Sequence, residues 1–68
     1  MIRNDTELEV TLQRIDRFRK QATHLRNSES NPENYRLAVG GYLAEIDRMQ
    51  LEVREYLLIH PAELAAAS

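Results

Sequence analysis

The sequence predicts an all-α fold in which two helices form an antiparallel hairpin, and two hairpins associate into a homodimeric four-helix bundle. Three features indicate this. Two long stretches repeat apolar residues at spacings of three and four, which alternate strictly in the second stretch, as in a helix that packs along another helix. The linker between them is short, which favours an antiparallel return. The second stretch carries two apolar faces, and a single partner helix covers only one of them.

Helix 1 is predicted from about residue 5 to residue 26. Asn4 can accept hydrogen bonds from the free amides of the first turn, with Thr6 as an alternative cap, and Glu7 lies where a capping box has its carboxylate. An apolar stripe then follows one face of the helix. Its large side chains form the helix 1 half of a predicted intrachain seam, with Thr11 and Ala22 on the same face: Leu8, Leu12, Ile15, Phe18 and Leu25.

A connecting loop is predicted at residues 27–31, where apolar side chains are absent. Pro32 fits the first turn of a new helix, because its missing N–H would have no partner there. Either Asn31 or Ser30 can cap that helix, and Ser30 with Glu33 also fits a capping box.

Helix 2 is predicted from about residue 32 to residue 60, since Pro61 disfavours a helical residue before it. The residues after it, 61–68, form a tail that either makes one short helical turn or frays. The helix 2 half of the seam, broadened by Leu43 and Leu57, consists of Tyr35, Val39, Tyr42, Ile46, Met49, Val53 and Tyr56.

Helix 2 has a second apolar face that points away from the seam. Leaving its leucines in water would forgo about 1.5–3 kcal/mol for each one that could be fully buried. Self-association is the simplest way to cover it, and a twofold dimer is the commonest closed solution. The predicted oligomer interface consists of Leu37, Gly40, Gly41, Ala44, Leu51 and Leu58.

The two consecutive glycines in helix 2 need a physical reason, because together they cost about 2 kcal/mol relative to alanine. One interpretation is a tight helix crossing, in which the missing side chains of Gly40, Gly41 and the nearby Ala44 allow close backbone approach. The alternative is a kink or break in the helix without any partner.

The composition narrows the functional class. The 68 residues make one small domain without cysteine, so disulfides and thiolate metal sites are excluded and oligomerisation remains as a source of extra stability. A formal net charge of -2 gives no general attraction to nucleic acid or to an anionic membrane. The N-terminal residues do not resemble a signal peptide, and there is no apolar run long enough to span a bilayer. We therefore expect a cytoplasmic protein that does not bind membranes.

No motif for catalysis, cofactor binding or metal binding is found. The glycine pair lacks the spacing of a phosphate loop, and His24 and His60 lack the helical spacing of metal ligands. Both histidines fit helix-capping positions better than catalytic ones. We expect a non-enzymatic protein without cofactors.

Basic residues on helix 1 suggest nucleic-acid binding as the alternative function. The candidates are Arg14, Arg17 and Lys20, but an Asp16–Lys20 pair at i, i+4 shares their helix and the cations spread around it. Nucleic-acid binding normally needs a denser basic face. The sequence therefore favours protein partners over nucleic acid.

Several short segments resemble the helical-hairpin preamble of HigA-like antitoxins and related small helix-turn-helix regulators. They are the opening Ile2–Leu8, the helix through Arg14 and Ile15, and the stretch Gly41–Tyr56 with its Glu-x-Tyr end. The resemblance covers most of residues 2–57. The family's DNA-binding helix-turn-helix would follow near Pro61, and no such motif is present, so no functional residue of the family can be assigned here.

The resemblance implies an association module, either antitoxin-like or a regulatory partner protein. Its partner would be a second copy in a homodimer or higher oligomer, or a toxin or regulatory protein.

Overall fold

The computed structural model describes residues 1–67, with side chains through Leu64, and these residues form three helices. They are α1 (Asp5–Ser28), α2 (Pro32–Leu57) and α3 (Pro61–Ala67). The first two lie antiparallel and pack against each other, in a molecule of 52 × 15 × 13 Å. The predicted all-α hairpin is therefore confirmed.

Helix α1 begins with the side-chain cap that the sequence indicates. The Oδ1 atom of Asn4 accepts a hydrogen bond from the backbone N–H of Glu7 at 2.8 Å. The Glu7 carboxylate turns back but accepts from the N–H of Arg3 at 2.7 Å, one residue before the position that a capping box uses. The two bonds still fix the entry of the chain into α1.

The loop between the helices is shorter than predicted, because α1 continues to Ser28 and α2 begins at Pro32. Of the two candidate caps, the structure uses Asn31, whose Oδ1 accepts from the N–H groups of Glu33 at 2.9 Å and Asn34 at 3.2 Å. The Glu29 carboxylate accepts from the N–H of Asn31 at 3.0 Å. A three-residue link therefore returns the chain directly onto α1.

The core lies midway along the seam. Ile15 of α1 packs with Ile46 and Met49 of α2, and Met49 is the most buried residue at 2 % exposure. Phe18 and Val53 pack against this cluster. The Phe18 ring also meets Tyr42 edge to face, with ring centroids 5.7 Å apart. The residues that hold the hairpin together therefore come from both helices.

The α1 half of the seam differs from its prediction at Leu12, which is 45 % exposed. The side chains that turn toward α2 follow a strict three-four alternation that passes through Thr11 and skips Leu12: Leu8, Thr11, Ile15, Phe18, Ala22 and Leu25. Leu12 lies one residue later, about 100° around the helix. Thr11 is tolerated at this position because its hydroxyl donates to the Glu7 carbonyl at 2.9 Å.

Helix α2 ends at Leu57, three residues before the predicted boundary. The N–H of Ile59 donates to the Tyr56 carbonyl, a tighter turn that closes the helix. His60 lies just before α3 and caps its start, where its Nδ1 accepts from the N–H of Ala62 at 3.0 Å. The tail predicted to form one turn or to fray is helical through Ala67. The prediction for Ser68 falls outside the described residues.

Candidate association surface

The face of α2 opposite the seam, extended by the C-cap residue Leu58, carries three large apolar side chains that the rest of the described chain leaves in water. Leu37 is 79 % exposed, Leu51 is 55 % exposed and Leu58 is 76 % exposed. Each follows a seam residue by two positions, about 200° around the helix. We call the outer face the set predicted as the oligomer interface: Leu37, Gly40, Gly41, Ala44, Leu51 and Leu58.

The outer face contains the glycine pair, and the helix runs through it without a break. Helix α2 is continuous across Gly40 and Gly41, and neither has a positive φ. A Cβ built at either position meets nothing within 4 Å. A break in the helix at this point is therefore excluded, whereas the alternative of a kink without a partner stays a prediction. Nothing in the described part of the chain needs the space that the two missing side chains leave open.

Charged residues flank the outer face on both sides. Arg48 donates to Glu45 at 2.7 Å and lies 3.5 Å from Glu52, on its own helix. This hydrogen bond, with the attraction between the charges, lowers the pKa of Glu45 and raises that of Arg48. Asp47 lies on the other side of the outer face and is exposed.

A second exposed apolar surface lies about a quarter turn from the seam. It comprises Leu12, Leu43 (48 % exposed) and Leu57 (65 % exposed), and we call it the lateral face. Each of its residues follows a seam residue by one position, and in antiparallel helices these positions come to the same side of the hairpin. Leu43 and Leu57 were predicted to broaden the seam. Both stay exposed instead, because α1 covers only part of the apolar surface around α2.

The open end of the hairpin is closed by polar and apolar contacts between the chain start and the end of α2. The hydroxyl of Tyr56 donates to Oδ1 of Asp5 at 2.6 Å, and Ile2 is buried. The hydrogen bond, together with desolvation, raises the pKa of Tyr56 to about 12. At the loop end, Arg26 donates to the hydroxyl of Tyr35 at 3.4 Å. All three tyrosines are at least half-buried along the seam, in packing positions.

The basic residues of α1 do not form a continuous cationic strip. The Lys20 ammonium lies 3.0 Å from the Asp16 carboxylate, which confirms the predicted pair. Arg14 is close enough to Glu45 to contribute to lowering the pKa of that carboxyl. Arg17 and Lys20 border an open depression of about 430 Å³. Arg14 instead lines a depression near the chain start, together with Arg3 and with Arg48 of the second helix.

No group of three or more potential metal ligands is found among the described residues. His24 is exposed near the end of α1, and His60 accepts a hydrogen bond at the start of α3 instead of capping the end of α2. None of the helices within residues 1–67 combines the length and apolar character that crossing a bilayer requires.

Comparison with known proteins adds no relative. No protein-family model, no curated protein and no solved structure matches the chain. The outer face must therefore be interpreted from its own chemistry.

Proposed function

We propose that this protein is a non-enzymatic association module, in which the hairpin presents the outer face of α2 to a protein partner. The observation that carries the proposal is the exposure of Leu37, Leu51 and Leu58 along one line of a helix whose opposite side is already packed. Isolated exposed leucines are common on protein surfaces, but a line of exposed leucines on one side of a helix is typical of an interaction site.

The total accessible surface area of the chain, which exceeds that of a compact monomer, supports the same function. A compact monomer of 7.9 kDa exposes about 4,400 Å², whereas this chain exposes 5470 Å². The surplus of about 1,000 Å² is similar to the roughly 800 Å² that each partner buries in a standard interface. The hairpin therefore has surface to spare for an interface of ordinary size.

A second copy of the chain is the partner that we propose first. A chain of 68 residues without cysteine has few other means of gaining stability. A toxin or regulatory protein, as in the HigA-like systems that the sequence resembles, is the alternative occupant of the same face. Nucleic-acid binding receives less support, since Lys20 is paired with Asp16 and Arg14 lies near Glu45.

Sedimentation equilibrium of the wild type and of Leu51→Glu tests the proposal. We expect a dimer for the wild type and a monomer for the variant, because the substitution places a charge in the centre of the outer face. Leu43→Glu is the matched control, since Leu43 has a similar exposure but lies on the lateral face. A monomeric wild type would contradict self-association. If only Leu43→Glu dissociated the dimer, the interface would have to be assigned to the lateral face.

A further inference from the structure

We propose that the second copy docks on the outer face in parallel and in register, with the twofold axis running along the two α2 helices. This inference rests on the proposed self-association and adds the orientation of the partner. It is carried by charge complementarity between the two flanks of the outer face.

The flanks are defined by the seven-residue spacing of the outer face. Its central line consists of Leu37, Ala44, Leu51 and Leu58. Residues three positions after a member of this line lie on one flank, and residues four positions after it lie on the other. The first flank holds Gly40, Asp47 and Arg54. The second flank holds Gly41, Arg48 and Glu55. At each level along the helix, the two flanks therefore carry either two glycines or two opposite charges.

A parallel twofold pair brings the first flank of one helix against the second flank of the other at the same height. Asp47 then faces Arg48 of the partner subunit, and Arg54 faces Glu55 of the partner subunit. Symmetry doubles both contacts, so four ion pairs of opposite sign border the leucines. Arg48 keeps its bonds to Glu45 and Glu52, because a guanidinium has five N–H donors.

An antiparallel pair makes the opposite match. There, like flanks meet, and the register that aligns the leucines sets Asp47 beside Asp47 of the partner subunit and Arg48 beside Arg48 of the partner subunit. Like charges across an interface are unfavourable and select against that orientation. The flanks of α2 therefore favour one of the two possible twofold arrangements.

The parallel arrangement also gives the glycines a function. Gly40 faces Gly41 of the partner subunit beside the two Ala44 side chains, so the backbones can approach closely at this level. The chain itself leaves that space open, with nothing within 4 Å of a Cβ at either glycine. Because the outer face lies opposite the seam, the four long helices would form one layer in the order α1, α2, α2, α1, in place of the closed four-helix bundle that the sequence predicts.

Disulfide cross-linking tests the orientation, since the wild type has no cysteine. In a parallel dimer, Leu37→Cys alone and Leu58→Cys alone each place two thiols together, and each should form a covalent dimer under mild oxidation. In an antiparallel dimer, these positions are about 32 Å apart from their own copies. Covalent dimers that form only when the two variants are mixed would overturn the proposal.

A charge swap provides a second test at exposed positions, where folding is not at risk. Arg54→Glu should weaken the dimer about tenfold because it sets like charges face to face. The double variant Arg54→Glu/Glu55→Arg should restore the affinity, measured by sedimentation. Failure of the swap to rescue would contradict the parallel register. A monomeric wild type would instead contradict the proposed self-association itself, so the two failures are distinguishable.

Discussion

Removing the Met49 side chain tests whether the hairpin depends on the small core at the middle of the seam. Met49 is 2 % exposed and packs against Ile15 and Ile46. Replacing a buried methionine by alanine costs about 2–5 kcal/mol, through lost apolar burial and the cavity that remains. A domain of 68 residues has a total stability of about 3–10 kcal/mol. Met49→Ala should therefore remove about a fifth or more of the free energy of unfolding.

The matched control is Leu37→Ala, which truncates a side chain that is 79 % exposed. It should change the free energy of unfolding of the separated hairpin by no more than about 0.5 kcal/mol. Both variants should be made together with Leu51→Glu, so that dissociation does not contribute to the measured stability. Urea unfolding followed by far-ultraviolet circular dichroism gives the two values. Equal losses for the two variants would refute the assignment of the core to the seam.

Three further perturbations test other parts of the structure. Asn31→Ala should lower the stability by about 1 kcal/mol in thermal unfolding, because it removes the α2 cap; an unchanged midpoint would contradict the capping role. The raised pKa of Tyr56, about 12 against 10.0 for a free tyrosine, predicts stability that is fully present below pH 10 and is lost as the pH rises from 10 to 12. Tyr56→Phe should abolish this part of the loss, and identical pH profiles for variant and wild type would exclude the hydrogen bond as its cause. Neutralising Arg14, Arg17 and Lys20 with glutamine should leave retention on immobilised nucleic acid unchanged, whereas a loss of retention would revive the nucleic-acid hypothesis.

The sequence predicted the hairpin well because its signals are local or periodic. Asn4 and Pro32 mark helix starts by backbone chemistry, and the seam of α2 follows from a repeat that needs no tertiary information. The limit appears at Leu12. Assigning the seam by residue type selects this leucine instead of Thr11. In two packed helices, however, the position of a residue in the three-four spacing decides whether it faces the partner helix, even where that residue is a threonine.

The lateral face was missed for a related reason. Hydrophobic periodicity indicates which arc of a helix is apolar, but not how much of that arc one partner helix covers. Leu43 and Leu57 lie only one position from the seam, and the structure leaves them 48 % and 65 % exposed. The predicted end of α2 at residue 60 was wrong because Pro61 prevents the helix from continuing but does not prevent it from ending earlier. The turn at Ile59 stops it earlier.

The distribution of leucine separates folding from association in this protein. The buried core consists of Ile2, Ile15, Ala22, Ile46, Met49 and Tyr56, and it contains no leucine. The large leucines of α2 lie instead on the outer and lateral faces. A hairpin whose stability depended on these leucines would unfold when they were replaced, and loss of a dimer could not be distinguished from loss of the fold. Because the core excludes them, polar substitutions such as Leu51→Glu should leave the helical content unchanged while they remove the interface. The outer face is therefore a surface whose function can be tested without disturbing the helices that present it.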